Sequence, residues 1–233
     1  MDMYDTHLPI RSDLREAHAT VVDRWSRPGT WWTARERLAI VAEVRRARDA
    51  AEIPPAWVRA SQVNGAVPGE HSLPAAAIDV IWRLTNHSGT LTAEWCDAAI
   101  DGFGEPSDAI TPGQYTELVA LVAQTNCIDR FAEGLSLDRP TLGEPITGEP
   151  SRTMPDDAAM RDHWVPTVPS DYPAVVQALS AVPAENAAML LLSDAQYIPV
   201  DEMFDLTSDR NALSRMQVEL VAARTSVLNE CFY

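Results

Sequence analysis

Apolar residues recur three and four positions apart along most of this chain, a spacing typical of amphipathic α-helices. Three segments begin with a Ser or Thr that is followed three residues later by Glu or Gln, a combination that caps the first turn of a helix. These capping boxes are Thr33–Glu36, Thr111–Gln114 and Ser214–Gln217. The same periodicity predicts further helices at about 12–26, 73–86, 91–102, 173–192 and 197–206. Because alternating strand patterns are scarce, we predict an all-α fold.

The chain divides around a segment without periodicity. Residues 138–169 are rich in Pro, Gly, Thr and Asp, which predicts a linker arm. This arm separates a helical half at 1–137 from a helical half at 170–233. The run Glu117–Ala120 recurs letter for letter at Glu219–Ala222, at an offset of 102 residues. We interpret the two halves as related and packed together, and the offset places Asp129 in the front half where the back half has Cys231.

Composition and charge limit the partners and the cellular location that the sequence predicts. With 233 residues and a net charge of −16, the chain is a poor partner for nucleic acid or an anionic membrane surface. No apolar run approaches the roughly 20 residues of a membrane span, and the polar start does not resemble a signal peptide. Three widely spaced cysteines argue against a secreted disulfide framework. We predict a soluble, cytoplasmic protein with no nucleic-acid or membrane partner.

Common catalytic and metal-binding motifs are absent. The sequence has no G-x-S-x-G, H-E-x-x-H or phosphate-binding loop. Its five histidines are scattered singly, without cysteine or carboxylate neighbours at metal-ligand spacing. We interpret His163 as a packed or surface histidine, and we predict no metal and no cofactor.

Thiol chemistry is the remaining possibility. Cys96 and Cys127 lie within apolar helical patterns and are interpreted as structural, because free cysteine is among the most often buried residue types. Cys231 differs because Asn229 is a natural helix boundary residue. A cysteine just inside a helix N-terminus has its thiolate stabilised by the helix dipole. The alternative is that Cys231 is a small hydrophobic residue near a helix end.

Glu219 is the candidate partner of Cys231. The two residues are twelve positions apart, which on one continuous helix means about 18 Å, far beyond hydrogen-bonding distance. A shared site therefore requires the chain to turn near Asn229. The alternative is that Glu219 is a solvated carboxylate on a helix face.

From Glu219 to Tyr233 the sequence resembles the AhpD-like superfamily, which comprises alkylhydroperoxidase D and carboxymuconolactone decarboxylase-like proteins. Redox members carry a Glu, twelve residues later the first Cys of C-x-x-C, and a His four residues after the second Cys. Glu219 and Cys231 match that spacing, with Phe232 and Tyr233 at the two x positions. The resemblance extends more loosely over segments 81–84, 89–92, 115–119, 148–152, 163–166 and 178–183. It implies a two-copy member whose sequence stops within its second C-x-x-C, or C-x-x-selenocysteine, motif.

The resemblance implies a mechanism and partners. A second thiolate or selenolate attacks a small hydroperoxide, Cys231 resolves the product as a disulfide, and a protein dithiol reduces the pair. Glu219 would belong to the proton relay. The resemblance favours a homo-oligomer and implies that the 233-residue chain by itself is inactive as a peroxidase.

Two other functions stay open. One is a helical scaffold of the same fold that packs and oligomerises without chemistry. The other is a decarboxylase-like enzyme of the same fold that needs no cysteine. The peroxidase function predicts loss of activity in Cys231→Ser, whereas the decarboxylase function predicts activity that survives this change.

Overall fold

The computed structural model describes residues 3–63, 73–199, 202–207 and 212–228. Within these residues the chain forms eight α-helices and no β-strand, which confirms the all-α prediction. The helices are α1 (Ser12–Trp25), α2 (Ala34–Asp49), α3 (Ala75–Asn86), α4 (Ala93–Ile100), α5 (Pro112–Gly134), α6 (Ala174–Gln177), α7 (Pro183–Gln196) and α8 (Arg215–Leu228). Short 3₁₀-helices occur at Ala60–Gln62, Ser88–Thr90 and Gly102–Gly104. The arrangement of two related halves stays a prediction.

All three predicted capping boxes form and start α2, α5 and α8. In the first box the Glu36 carboxylate accepts the backbone N–H of Thr33 at 2.8 Å, and the Thr33 hydroxyl accepts the N–H of Glu36 at 3.3 Å. The second box has the same reciprocal bonds between Thr111 and Gln114. The third joins Ser214 and Gln217. Each box satisfies backbone donors that the first helical turn leaves unpaired.

Helix α5 is the centre of the fold. It packs against α2, α3 and α7, while α1 packs against α7 and α2, and α4 packs against α3. Leu118 and Leu121 of α5 are fully buried in a core that also contains Trp25 and Ile81. Because neighbours surround α5, its polar side chains are buried as well and need partners inside the protein.

The arm at 138–169 lies along the helical body. The N–H of Ile146 donates to the carbonyl of Ser26 at 2.8 Å, and the N–H of Arg152 donates to the carbonyl of Thr30 at 2.7 Å. Further along, Val165 is buried against the core. The absence of periodicity in this segment thus corresponds to an extended chain held by backbone hydrogen bonds and a few apolar contacts.

Two predicted helices are wrong. The expected helix at 173–192 is interrupted between α6 and α7, because Pro183 cannot continue a helix and instead occupies the first turn of a new one. The expected helix at 197–206 does not form in its described parts, 197–199 and 202–206. Residues 203–204 and 206–207 form turns instead.

Helix α8 is attached to the body in an unusual way. Its first residue, Arg215, is buried and donates to the backbone carbonyls of Glu202, Met203 and Asp205. Apolar residues three and four apart predict a buried face here, yet Val221 is 59 % and Leu228 66 % exposed, while Val218 and Ala222 are half-buried. The helix itself was predicted, but among the described residues it is held by a polar anchor and not by an apolar face. No described helix is long and apolar enough to cross a membrane.

Candidate functional site

Glu219 lies at the start of the second turn of α8, and two side chains bind its carboxylate. The hydroxyl of Tyr197, just after α7, donates to Oε2 of Glu219 at 2.9 Å. Nε of Arg215, one turn earlier on α8, donates to Oε1 at 2.8 Å. These two hydrogen bonds fix both carboxylate oxygens. The Glu219 side chain is nevertheless 43 % exposed, so the group still reaches solvent.

Tyr197 is the hydrogen-bond donor in this arrangement. Burial, together with the hydrogen bond to the Glu219 carboxylate, raises the pKa of Tyr197 above its ordinary value. The phenol therefore stays protonated and keeps its O–H for the hydrogen bond to Glu219. Arg215 adds a positive charge against the other oxygen. The two carboxylate oxygens of Glu219 are thus held separately by Tyr197 and by Arg215.

An open cleft lies beside Met203, one of the residues whose carbonyls bind Arg215. It has a volume of about 1020 Å³ and is lined by Asp171, Tyr172, Asp194, Met203 and Phe204, among others. Met203 connects the cleft to the site, because its carbonyl accepts a hydrogen bond from Arg215 at 2.7 Å. Neither Arg215 nor Glu219 lines this cleft.

The second predicted site residue, Cys231, lies outside the described residues, as does the required turn near Asn229. The structure therefore places Glu219 and its partners but does not bring Glu219 and Cys231 together. The shared site of these two residues stays a prediction.

Glu117, which the sequence echo pairs with Glu219, has a different environment. Glu117 on α5 is fully buried, and its Oε1 accepts a hydrogen bond from the buried guanidinium of Arg37. Its Oε2 accepts the backbone N–H of Trp31 at 2.6 Å. Gly29 lies against the same carboxylate, where an added Cβ would stand 1.8 Å from Oε1. Only glycine permits this close approach, so the carboxylate is sealed from solvent.

A second buried carboxylate shares Arg37. Glu185 of α7 accepts from Arg37 at 2.9 Å, from Arg24 at 2.8 Å and from Gln124 at 2.8 Å. Burial opposes its charge, but Arg37 and Arg24 outweigh that effect and hold the pKa of Glu185 below its ordinary value. For Glu117, burial prevails over Arg37 and raises the pKa. We interpret this set as a structural cluster that joins α2, α5 and α7.

Asp129, which the 102-residue offset predicts as the counterpart of Cys231, already binds other side chains. It is fully buried on α5, and Arg45 of α2 donates to its two oxygens at 2.8 and 2.9 Å. Such a bidentate pair orients both side chains firmly. Glu117 and Asp129 therefore both bind arginines of α2, which ties α2 to α5 and leaves neither carboxylate open to a substrate.

The two described cysteines are placed as expected for structural residues. Cys96 on α4 is buried, Cys127 on α5 is partly buried, and neither forms a disulfide. Burial raises the pKa of both thiols, which disfavours the reactive thiolate. Among the described residues no three His, Cys, Asp or Glu side chains stand close enough together to hold a metal ion.

Sequence reasoning missed part of the site. The Arg215–Glu219 pair has a detectable signal, because residues four apart on a helix face each other. Tyr197 has none, since 22 residues separate it from Glu219. The described residues form an all-α protein in which the partly exposed Glu219 carboxylate is held by Tyr197 and Arg215. Comparison with protein-family models, with curated proteins and with solved structures gave no match to this chain.

Proposed function

We propose that the protein takes part in reduction of a small hydroperoxide by a protein dithiol, with Cys231 and Glu219 in the redox site. The observation that carries this proposal is the contrast between two carboxylates at equivalent positions of the echoed sequence. Glu117 is sealed in an ion cluster, whereas Glu219 is partly exposed and hydrogen-bonded by Tyr197 and Arg215.

The proposed cycle uses two sulfur groups, or a sulfur and a selenium. The attacking thiolate or selenolate takes the terminal oxygen of the hydroperoxide, the O–O bond breaks, and an alcohol leaves after accepting a proton. The resulting sulfenic or selenenic acid is attacked by the Cys231 thiolate, which forms a disulfide or selenylsulfide and releases water. The dithiol reductant then reduces this bond and becomes a disulfide itself.

Glu219 suits the proton transfers in this cycle. In this cycle its carboxylate is the base that removes a proton from a thiol, and the Tyr197 hydroxyl donates a hydrogen bond to it at 2.9 Å. Because Arg215 fixes the other oxygen, the carboxylate keeps its orientation when it gains or loses a proton. Cys96 and Cys127 are unsuited to either sulfur role, since burial raises the pKa of both thiols.

The test adds the attacking thiol at the position that the C-x-x-C spacing demands. One variant carries a single cysteine after Tyr233, and its matched control carries a serine there. We expect the cysteine variant to consume cumene hydroperoxide with dithiothreitol and the serine control to stay at background. In the cysteine variant, Glu219→Gln should lower the rate by about 10²–10⁴-fold.

Further variants separate the competing functions. Cys231→Ser in the cysteine-extended chain should abolish disulfide formation, while Cys96→Ser should leave turnover unchanged. Equal turnover in the cysteine and serine extensions would contradict the proposal. The absence of turnover in both, with the fold intact by circular dichroism, would favour the non-catalytic scaffold.

A further inference from the structure

A pocket with two arginines lies between α3, α4 and the segment that follows α2. Its volume is about 220 Å³, and a cavity of about 150 Å³ already holds a molecule of benzene. Four aromatic side chains line the pocket: Trp57, Trp82, Trp95 and Phe103. Trp82 is buried, whereas Trp57 is 85 % exposed. The pocket therefore offers space for one ring beside aromatic side chains.

Both arginines are stacked on aromatic rings of the pocket. The guanidinium carbon of Arg59 stands 5.2 Å from the ring centre of Phe103. The guanidinium carbon of Arg83 stands 4.8 Å from the ring centre of Trp95. Because each ring is itself part of the pocket lining, these contacts place both charged groups at the wall of the pocket. Stacking on a ring also restricts the orientation of each guanidinium.

Each guanidinium uses one edge within the protein and leaves one nitrogen without a partner. Nε and Nη2 of Arg83 donate to the hydroxyl and the carbonyl of Thr90, at 3.1 and 2.6 Å. With the amide of Gln62 oriented so that its oxygen faces Arg59, this oxygen accepts from Nε and Nη2 of Arg59. In both arginines Nη1 has no hydrogen bond with a described residue and is not a buried unpaired atom, so it is open to solvent.

The charges that line the pocket do not balance. Among the described lining residues Asp79 is the one carboxylate, and Ser61 binds both of its oxygens, through its backbone N–H at 2.9 Å and its hydroxyl at 2.7 Å. Burial raises the pKa of Asp79, and the positive charge of Arg59 partly offsets this effect. Arg83 has no described carboxylate close by, and burial lowers its pKa. Two arginines against one carboxylate leave a positive charge in this pocket, although the whole chain carries −16.

We propose that this pocket binds a small aromatic carboxylate, whose ring packs among the four aromatic side chains and whose anionic group accepts hydrogen bonds from Nη1 of Arg59 and of Arg83. Arginine suits a carboxylate because its N–H groups are fixed in one plane. The surplus positive charge selects an anion, and the volume limits its body to about one ring. Neither side chain that binds Glu219 lines this pocket, so the inference goes beyond the proposed redox function.

The test compares benzoate with benzamide, a neutral molecule of nearly the same shape. Binding to the whole chain is followed by calorimetry and by tryptophan fluorescence, since three tryptophans line the pocket. We expect saturable binding of benzoate, about 10- to 100-fold tighter than binding of benzamide, because hydrogen bonds to a charged group supply a factor of this size. Acetate, which lacks the ring, should bind more weakly than benzoate because it buries less apolar surface.

Variants locate the binding. Arg59→Met and Arg83→Met each keep an apolar stem and remove the charge, so each should weaken benzoate binding about tenfold and change benzamide binding little. Arg35→Met is the matched control, because Arg35 is an exposed arginine of α2 outside the pocket and its removal changes the net charge equally. This control should leave benzoate binding unaltered. Ala56→Trp fills the pocket and should abolish binding of both probes.

Four results would overturn the inference: no saturable binding of benzoate, equal binding of benzoate and benzamide, acetate binding as tight as that of benzoate, or benzoate binding that neither arginine variant weakens. Arg83 also binds Thr90, so its variant needs a check of folding by circular dichroism. If Arg83→Met does not fold, Arg59→Met and Ala56→Trp decide the location, and unchanged binding in both overturns the inference. None of these readouts involves peroxide turnover, so failure here is distinguishable from failure of the proposed redox function.

Discussion

Arg37 is the residue whose removal tests the buried ion cluster most severely. Its side chain is 1 % exposed, and it pairs with Glu117 and Glu185, both fully buried. In Arg37→Met the apolar stem is retained while the charge disappears. Glu185 keeps Arg24 and Gln124 as partners, but Glu117 keeps only the N–H of Trp31. Removing one partner of a buried ion pair costs about 3–5 kcal/mol, a large share of the roughly 5–15 kcal/mol that stabilises a typical domain.

The loss in Arg37→Met should depend on pH. Burial already raises the pKa of Glu117 in the folded protein, and removal of Arg37 raises it further. A carboxyl whose folded pKa lies above its unfolded value of about 4.3 favours folding fully below that unfolded value. That contribution is lost as the pH rises through the folded pKa. The deficit of the variant should therefore be larger at neutral pH and shrink toward pH ~4.5.

The assay is urea unfolding followed by tryptophan fluorescence and far-ultraviolet circular dichroism, with linear extrapolation of the free energy of unfolding. Arg27→Met is the control, because Arg27 pairs with Asp23 on the surface and its removal should change stability little. Adding Glu117→Gln to Arg37→Met should restore part of the loss. A deficit below about 1 kcal/mol, or one independent of pH, would refute the structural role assigned to this cluster.

Three other perturbations follow from single observations. Gly29→Ala should lower the free energy of unfolding by about 1–3 kcal/mol, because the added Cβ would clash with the Glu117 carboxylate. Gly134→Ala is the control: its Cβ would meet nothing within 4 Å, so the same urea titration should show little change. Burial lowers the pKa of His18 from 6.5 to about 4. The shift contributes about 3 kcal/mol to the free energy of unfolding, which is present above pH 6.5 and lost as the pH falls toward 4. His18→Gln should therefore flatten this part of the curve of unfolding free energy against pH. Tyr197→Phe removes the hydroxyl that holds Glu219 and should speed hydrogen exchange of the α8 amides about fivefold, and unchanged exchange would show that this bond does not stabilise α8.

Local signals in the sequence predicted much of the secondary structure. The boxes at Thr33 and Thr111 start helices because capping depends on neighbouring residues alone. The interruption at Pro183 was equally local, yet apolar periodicity on both sides of the proline concealed it. Proline is favourable in the first turn of a helix, so Pro183 interrupts the predicted helix and begins α7.

The buried charges were beyond such reasoning. Arg37 and Glu117 lie 80 residues apart, and each alone is typical of a solvated helix face. Their pairing depends on how α2 packs against α5, which no local pattern encodes. The candidate site divides in the same way, because the Arg215–Glu219 pair follows from helical spacing, whereas the contact with Tyr197 requires the tertiary fold.

The exposed apolar face of α8 is a further feature that local sequence patterns do not predict. Periodicity correctly predicted a helix through Val221 and Leu228, but it also implied a buried face. In the described part of the chain these side chains stay exposed, and the buried Arg215 carries the attachment. Amphipathic spacing therefore specifies the helix and not the surface that covers it.

The most direct measurement of the central claim is disulfide mapping in the chain extended by one cysteine after Tyr233. The protein is treated with cumene hydroperoxide, digested, and analysed by peptide mass spectrometry. The proposed function predicts a disulfide between Cys231 and the added cysteine, formed more slowly in Glu219→Gln, with Cys96 and Cys127 still reduced. Oxidation confined to Cys96 or Cys127, or no disulfide at Cys231, would contradict it.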